Sequence, residues 1–271
     1  MATGKTAAKA GETSTRRAAQ RKASPVRGKT QAPQTARPGA FEGFPADFLR
    51  FFRELKKNNE REWFNANKDR YRTSVQAPML AFISAMDLPL GRIADCFVAD
   101  ARPMGGSMFR IYRDTRFSHD KTPYKDHAAC QFRHMAGKDA HAPGFYVHVA
   151  PDEVFFGGGI WRPPSPVLQQ IRARIIDEPD EWKRITRAPA FRRRFGGVEG
   201  DALKRAPVGI DPLHPLIEDL KRTSFFAVQS VEPKAIQSKE FAGEVTRSFQ
   251  ALAPFMQFLT EAVGLPFKLD D

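Results

Sequence analysis

The chain has 271 residues, of which 41% are hydrophobic and 23 are phenylalanine, and this content is sufficient for a folded core. No stretch approaches the roughly 18 to 20 consecutive apolar residues of a membrane span, and the N-terminus lacks the apolar region of a secretory signal. Cys96 and Cys130 fit neither a disulfide framework nor a cysteine zinc site. These features exclude a membrane protein and a disulfide scaffold, and they favour a cytoplasmic location.

The net charge of +12 is concentrated in the first 40 residues. That segment has nine Lys and Arg residues against one acidic residue, Glu12, so it carries +8 and leaves +4 for the other 231 residues. A segment rich in Ala, Thr, Lys, Arg and Pro cannot bury much apolar area. We therefore predict a disordered basic tail over 1–40, able to contact nucleic acid nonspecifically, and a single domain over 41–271.

The first part of the domain has helical periodicity. Apolar spacing predicts a helix over 45–56, a second helix that carries Trp63 and Tyr71, and a third over 78–86. Asn58-Asn59 separates the first two, because asparagine tolerates a left-handed backbone and also caps helices.

Beyond Gly105-Gly106 the apolar period changes to two. Phe109 and Ile111 alternate with polar residues, which predicts a strand continuing to about Phe117. Further strands are predicted over 130–134, 144–149, 154–156 and 223–230, and further helices from Ser165 to about Arg194 and over 241–259. Strands in one block with helices on both sides predict an α+β fold, in which N-terminal and C-terminal helices pack on an antiparallel sheet of about five strands.

The densest polar segment runs from Arg110 to Lys125 and combines five cations with two carboxylates. On a strand, Arg113 would share the apolar face of Phe109 and Ile111, so its guanidinium would need a carboxylate or a bound anion. Arginine grips phosphate or carboxylate with two parallel hydrogen bonds, whereas lysine acts as a point charge and backbone N–H groups complete an anion nest. The predicted ligand-binding residues are Arg110, Arg113, Arg116, Ser118, Lys121, Lys125 and Trp161.

Five motifs occur in order over residues 41 to 231. They are Phe41-x-Gly-Phe44, Asn58-Asn59-x-x-x-Trp63-Phe64, Arg110-x-x-Arg113-Asp114-x-Arg116-Phe117-Ser118-x-x-Lys121-x-Pro123-Tyr124-Lys125, Gly158-Gly159-x-Trp161-x-Pro163 and Leu203-Lys204-Arg205-x-Pro207-x-Gly209. In these motifs the chain resembles a widespread family of uncharacterised conserved hypothetical proteins, a domain of unknown function. The resemblance implies that Arg110–Lys125, called here the hallmark segment, is a family feature, but it implies no mechanism.

Signals for catalysis are weak in this sequence. Asp114 or His119 as a proton carrier and Tyr124 as a hydroxyl donor are the best candidates. No nucleophile elbow and no Cys/His nucleophile pattern occurs.

Signals for a metal or a cofactor are weaker still. His127, His134, His141 and His148 recur every seven residues, but Gly and Pro between them exclude a helix with a common face, so we predict no metal site. We also predict no cofactor.

Three glycines and a tryptophan form a second motif of interest. Gly157–Gly159 permits close approach of a ligand to the backbone, and Trp161 is able to stack on a sugar or base. The alternative is a strand end or bulge, since the glycine patterns of nucleotide loops are missing. Lys204 and Arg205 add two cations to the same site or belong to a solvated loop.

Three hypotheses follow. The first is binding, with or without turnover, of a phosphorylated or carboxylated small molecule at the Arg/Lys-rich segment. The second is a nucleic-acid-associated protein that uses the basic tail. The third is a scaffold for protein interactions, in which the arginines brace the fold; Arg113→Ala would then cost about 3 to 5 kcal/mol by orphaning a buried partner.

Overall fold

The computed structural model describes residues 41–137 and 143–269, which belong to one compact unit. The predicted disordered tail, residues 1–40, lies outside the described residues and stays a prediction, as does the domain boundary at residue 41.

A five-stranded sheet forms the centre of this unit. Its strands follow in chain order, and every neighbouring pair is antiparallel. The strands are β1 (Phe97–Val98), β2 (Ala128–His134), β3 (Gly144–Val149), β4 (Val154–Ile160) and β5 (Phe225–Val231). This architecture confirms the predicted α+β class.

Helices precede β1, connect β4 to β5 and follow β5. They are α1 (Ala46–Lys57), α2 (Arg61–Ala66), α3 (Lys68–Tyr71), α4 (Ala77–Ile93), α5 (Ser165–Asp177), α6 (Pro179–Thr186), α7 (Pro189–Phe195), α8 (Ile217–Leu220) and α9 (Phe241–Ala262). A π-helical turn, Arg72–Gln76, joins α3 to α4, and a 3-10 turn, Pro233–Gln237, precedes α9. Among the described residues, no helix has the length and apolarity needed to cross a membrane.

One face of the sheet is covered by α9. Side chains alternate along each strand, and the inward set is large and apolar. The ring of Phe249 in α9 lies 4.6 Å from that of Phe145 in β3 and 6.0 Å from that of Phe132 in β2, centroid to centroid. Phe241 at the start of α9 packs on Phe156 of β4. We call this the helix-covered face.

The opposite face carries the alternate residues of the same strands. Tyr146, Phe155, Phe226 and Val228 point there and are partly exposed. We call it the open face, and it borders the hallmark segment.

The hallmark segment differs from its prediction. Met108 bridges Cys130 of β2, but the chain then folds back on itself: Arg113 N–H donates to the Pro123 carbonyl and Lys125 N–H to the Ile111 carbonyl. The predicted strand to Phe117 is therefore wrong, and β1 supplies the fifth strand. Carboxylates cause the departure, because Asp114 and Asp120 accept local backbone N–H groups two residues on and so compete with a strand ladder.

Candidate functional site

The base of the hallmark hairpin is tied to the N-terminal helices. Asn59, in the loop between α1 and α2, donates to the Tyr124 carbonyl and accepts the Tyr124 N–H, both at 3.0 Å. The Tyr124 ring is buried and stacks on Phe64 of α2, with centroids 4.1 Å apart. The second and third family motifs are therefore in contact, and both hold the hairpin in place.

The tip of the hairpin pairs its own charges. Arg113 binds Asp120 and Thr122, and Arg116 binds Asp114 at 2.7 Å. These guanidinium groups lower the pKa of both carboxyl groups to about 2. Arg113 is not inward facing on an apolar strand. Of the two partners expected from the sequence, a carboxylate or a bound anion, Arg113 has the carboxylate, that of Asp120.

The other predicted residues of the segment are dispersed. Lys121 donates to the Thr115 carbonyl at 2.9 Å, Ser118 is partly exposed, and His119 is exposed. Tyr124 is buried at the base, and burial raises the pKa of its hydroxyl. Asp114, His119 and Tyr124 are not joined by any contact among the described residues, and their catalytic roles stay predictions.

Two cations lie over the ring of Phe109 at the base of the hairpin, and a third, Arg110, follows Phe109 in the chain. Lys125 Nζ lies 5.1 Å from the ring centroid of Phe109, and the Arg133 guanidinium carbon lies 5.6 Å from it. Burial, followed by the nearby charge of Arg110, lowers the pKa of Lys125. Among the described residues, no carboxylate lies within 4.0 Å of Arg110, Lys125 or Arg133. We call these three residues the cationic group.

One member of the cationic group, Arg133, lines one end of a cleft on the open face. This sheet-face cleft has a volume of about 700 Å³ and is lined by Phe109 and Arg133 at that end. A row of paired residues crosses four strands in the order Arg133, Gly144, Gly159, Phe226. Because neighbouring strands lie about 4.8 Å apart, the backbones of Arg133 and Phe226 are about 14 Å apart.

Glycines form the floor between these two ends. A Cβ atom on Gly159 would lie 2.1 Å from the Phe225 carbonyl oxygen, and Gly159 has φ +147°, so a side chain is excluded twice over. The Gly157 position is likewise filled by the backbone of β5, and the Gly158 position by Met256 of α9. The three glycines lie within the continuous register of β4 and allow close packing against β5 and α9. Gly157 and Gly159 also leave the cleft without side chains at its floor.

The far end of the cleft is aromatic and acidic. Trp161, 55% exposed, lies over Phe226 with ring centroids 5.3 Å apart. Arg162, in a left-handed conformation, follows it and binds Asp201 at 2.8 Å. Glu199 also lines this end, and among the described residues no cation lies within 4.0 Å of its carboxylate. The cleft thus has Arg133 at one end and Glu199 at the other, and a second carboxylate, Glu153, lines it beside His148.

A chain of polar groups leads from the cleft to the surface. Tyr146 Oη lies 3.3 Å from His148 Nδ1, and His148 Nε2 lies 3.4 Å from Glu153 Oε1. Burial, followed by the neighbouring His127, lowers the pKa of His148 to about 4, while burial raises that of Tyr146 to about 12. Both shifts favour the neutral form of the group at pH 7.

The regularly spaced histidines do not converge on one site, although two of them are in contact. His134 is on the helix-covered face, where it donates to the Pro266 carbonyl at 2.8 Å. His148 is on the open face and packs against His127, whose ring is tilted and has its centroid 4.3 Å away. His141 lies outside the described residues. Among the residues that the structure describes, no three His, Cys, Asp or Glu side chains are arranged to hold a metal ion.

A second hollow, of about 610 Å³, lies between α9 and residues 266–269. Its charged lining groups are engaged: Glu261 binds Arg174, and Lys268 donates to the Arg92 carbonyl. The sheet-face cleft is the better candidate site, because it is lined by Phe109, which adjoins the hallmark segment, and by the predicted residue Trp161.

Sequence reasoning identified part of this site and missed the rest. Of the predicted residues, Trp161 lines the cleft, and Arg110 and Lys125 belong to the cationic group without lining it. Arg133, Tyr146 and Glu199 line the cleft and were not predicted. Arg133 could have been found, because it alternates with buried Phe132 and His134 on β2 and so faces away from the core. Lys204 and Arg205 are exposed and do not line the cleft.

Comparison with known proteins agrees with the resemblance seen in the motifs. No curated protein matches this sequence. The sequence model of one family matches residues 47–258, which include the hallmark segment, every strand and most of α9. The chain therefore belongs to the conserved hypothetical protein family DUF2461.

Proposed function

We propose that this protein binds a phosphorylated or carboxylated small molecule in the sheet-face cleft, with the anion held by the cationic group. The observation that carries the proposal is the lack of any carboxylate within 4.0 Å of Arg110, Lys125 and Arg133 among the described residues. Lys125 and Arg133 are partly buried, whereas Arg110 is exposed. A partly buried cation beside other cations is costly without counter-charge, and an anionic ligand supplies that charge.

The proposal divides the residues predicted from sequence. Arg110, Lys125 and Trp161 are assigned to the ligand, and Arg133 is added. Arg113, Arg116 and Lys121 already have partners inside the hairpin, so a ligand would have to compete for them. They and Ser118 stay predictions.

Thermal unfolding with added pyrophosphate or citrate tests this proposal. Binding to the folded state alone raises the melting temperature. Removal of one charged hydrogen-bond donor costs about 1.5 to 3 kcal/mol, so Arg133→Gln should weaken anion binding about ten-fold or more. Arg193→Gln removes the same charge from an exposed position on α7 and is the control. Lack of stabilisation in the wild type, or equal affinity in both variants, would contradict the proposal.

The +8 charge of residues 1–40 supports a second candidate function, nonspecific nucleic-acid binding. Substitution of Arg16, Arg17, Arg21 and Lys22 by Gln in the full-length chain should flatten the salt dependence of DNA affinity, by about one unit of log–log slope per lost phosphate contact. An unchanged slope would exclude the tail as the binding element.

A further inference from the structure

The two ends of the sheet-face cleft differ in chemistry, and this difference restricts what fits between them. The inference rests on the proposed function and narrows its ligand. From the opposed ends we infer that the ligand is a nucleoside phosphate, with its phosphates on the cationic group and its base on Trp161.

Charge sets the direction of the ligand. Arg133 stands at one end of the paired row, and Glu199, which bridges Phe226, stands beyond the other. A phosphate is attracted to the first end and repelled from the second. The group that reaches Glu199 must instead donate hydrogen bonds, as ribose hydroxyls and the amino groups of bases do.

Shape sets the form of the distal group. Gly159 leaves the floor flat, and no side chain can be accommodated there because β5 backbone fills the Cβ position. Above this floor Tyr146 and Trp161 provide aromatic surfaces, and Trp161 is 55% exposed. A flat floor beside exposed rings suits a planar group, which gains stacking energy without requiring a deep pocket.

The length of the cleft shows that a small anion alone cannot contact both of its ends. The row from Arg133 to Phe226 spans about 14 Å. Inorganic phosphate reaches only the cationic group, whereas a nucleoside with a chain of phosphates reaches both ends. The volume of about 700 Å³ is within the range of small-molecule sites.

Calorimetric titration of the full-length protein tests the inference. The probes are the four common ribonucleoside triphosphates, with tripolyphosphate as the same anion without a ring and adenosine as a ring without the anion. Base stacking on an aromatic side chain is worth about 1 to 3 kcal/mol, so at least one nucleoside triphosphate should bind about ten-fold tighter than tripolyphosphate. Adenosine alone should bind weakly.

Two substitutions of Trp161 test whether the base of the ligand stacks on this side chain. Trp161→Ala should abolish the preference over tripolyphosphate while leaving the tripolyphosphate affinity unchanged, and Trp161→Phe should retain most of the preference. Arg133→Gln should weaken both ligands alike. Trp161 is largely exposed, so neither replacement opens the core.

The failures are distinguishable. If tripolyphosphate binds as tightly as every nucleoside triphosphate, or if Trp161→Ala keeps the preference, the inference is overturned and the proposed anion site stands. If no probe binds, both the inference and the proposed function are contradicted.

Discussion

The two faces of the sheet are built from the same strands and differ in what they contact. On the helix-covered face, Phe132, Phe145 and Phe156 meet α9 and lose all contact with solvent. On the open face the alternate positions hold glycine, tyrosine and arginine, and none of the helices that the structure describes lines the cleft there. The comparison indicates that apolar burial stabilises one face, whereas the other keeps unpaired charge and exposed rings that a core would exclude.

The bare floor of the open face is the feature most sensitive to substitution. Gly159→Ala would place Cβ 2.1 Å from the Phe225 carbonyl oxygen at φ +147°. Forced backbone movement together with a glycine-only conformation should cost at least about 3 kcal/mol. Chemical denaturation measures the loss, and Gly197→Ala, which has no atom within 4 Å of the new Cβ, is the control. Equal stability of the two variants would show that β4 and β5 are not so closely packed.

His148 makes the open face sensitive to acid. Its pKa is lowered from 6.5 to about 4, by burial first and by His127 second, while Asp126 and Asp152 oppose the shift. The folded state therefore binds fewer protons than the unfolded state between these values. The contribution of His148 to the free energy of unfolding is fully present above about pH 6.5. It is lost as the pH decreases towards 4, and the whole loss is about 3 kcal/mol.

Urea unfolding at pH 7.5 and pH 5 checks this prediction. His148→Gln should lose less stability on acidification than the wild type, whereas His119→Gln, at an exposed position, should behave as the wild type does. Carboxyl groups with lowered pKa, such as that of Asp152, also lose stability in acid, so the difference between the two variants is the informative quantity. A difference near zero would contradict the assigned pKa of His148.

The base of the hallmark hairpin connects the open face to the helices. Asn59→Ala would leave both the N–H and the carbonyl of Tyr124 without their partner. Orphaned backbone groups at a part-buried site should cost about 2 kcal/mol. Asn65→Ala, on the exposed side of α2, should change the free energy of unfolding by less than about 0.5 kcal/mol. Similar losses in both variants would mean that Asn59 does not anchor the hairpin.

Sequence periodicity predicted the elements whose side chains face a single environment. The α9 helix and strands β2 to β5 have regular apolar spacing, so the sequence predicts the secondary structure of each correctly. The two-residue strand β1 is too short to carry a period. The hairpin was misread because Phe109 and Ile111 alternate as a strand would, while the carboxylates of Asp114 and Asp120 decide the backbone beyond them.

The site was predicted in part for a related reason. Clustering in sequence revealed Arg110 and Lys125, which lie within 16 residues of each other. Arg133 joins them only because β2 pairs with the segment before the hairpin, at Met108 and Cys130. Glu199 reaches the cleft through a bridge to Phe226, a contact that no local pattern encodes.

The smallest loss of stability is expected at the tip of the hairpin, from removal of the Arg113–Asp120 ion pair. The size of this loss shows whether the pair braces the fold or is a surface ion pair. Arg113 binds Asp120, but the two side chains are 28% and 57% exposed. Exposed ion pairs contribute about 0 to 1 kcal/mol, so Arg113→Ala should cost far less than the 3 to 5 kcal/mol that a buried brace would require. Arg70 is the matched comparison, because it binds both Asp47 and Glu54 and is less exposed. Arg70→Ala should therefore be the more destabilising in thermal unfolding. The reverse order would restore the scaffold hypothesis, because the charged tip would then hold the fold together.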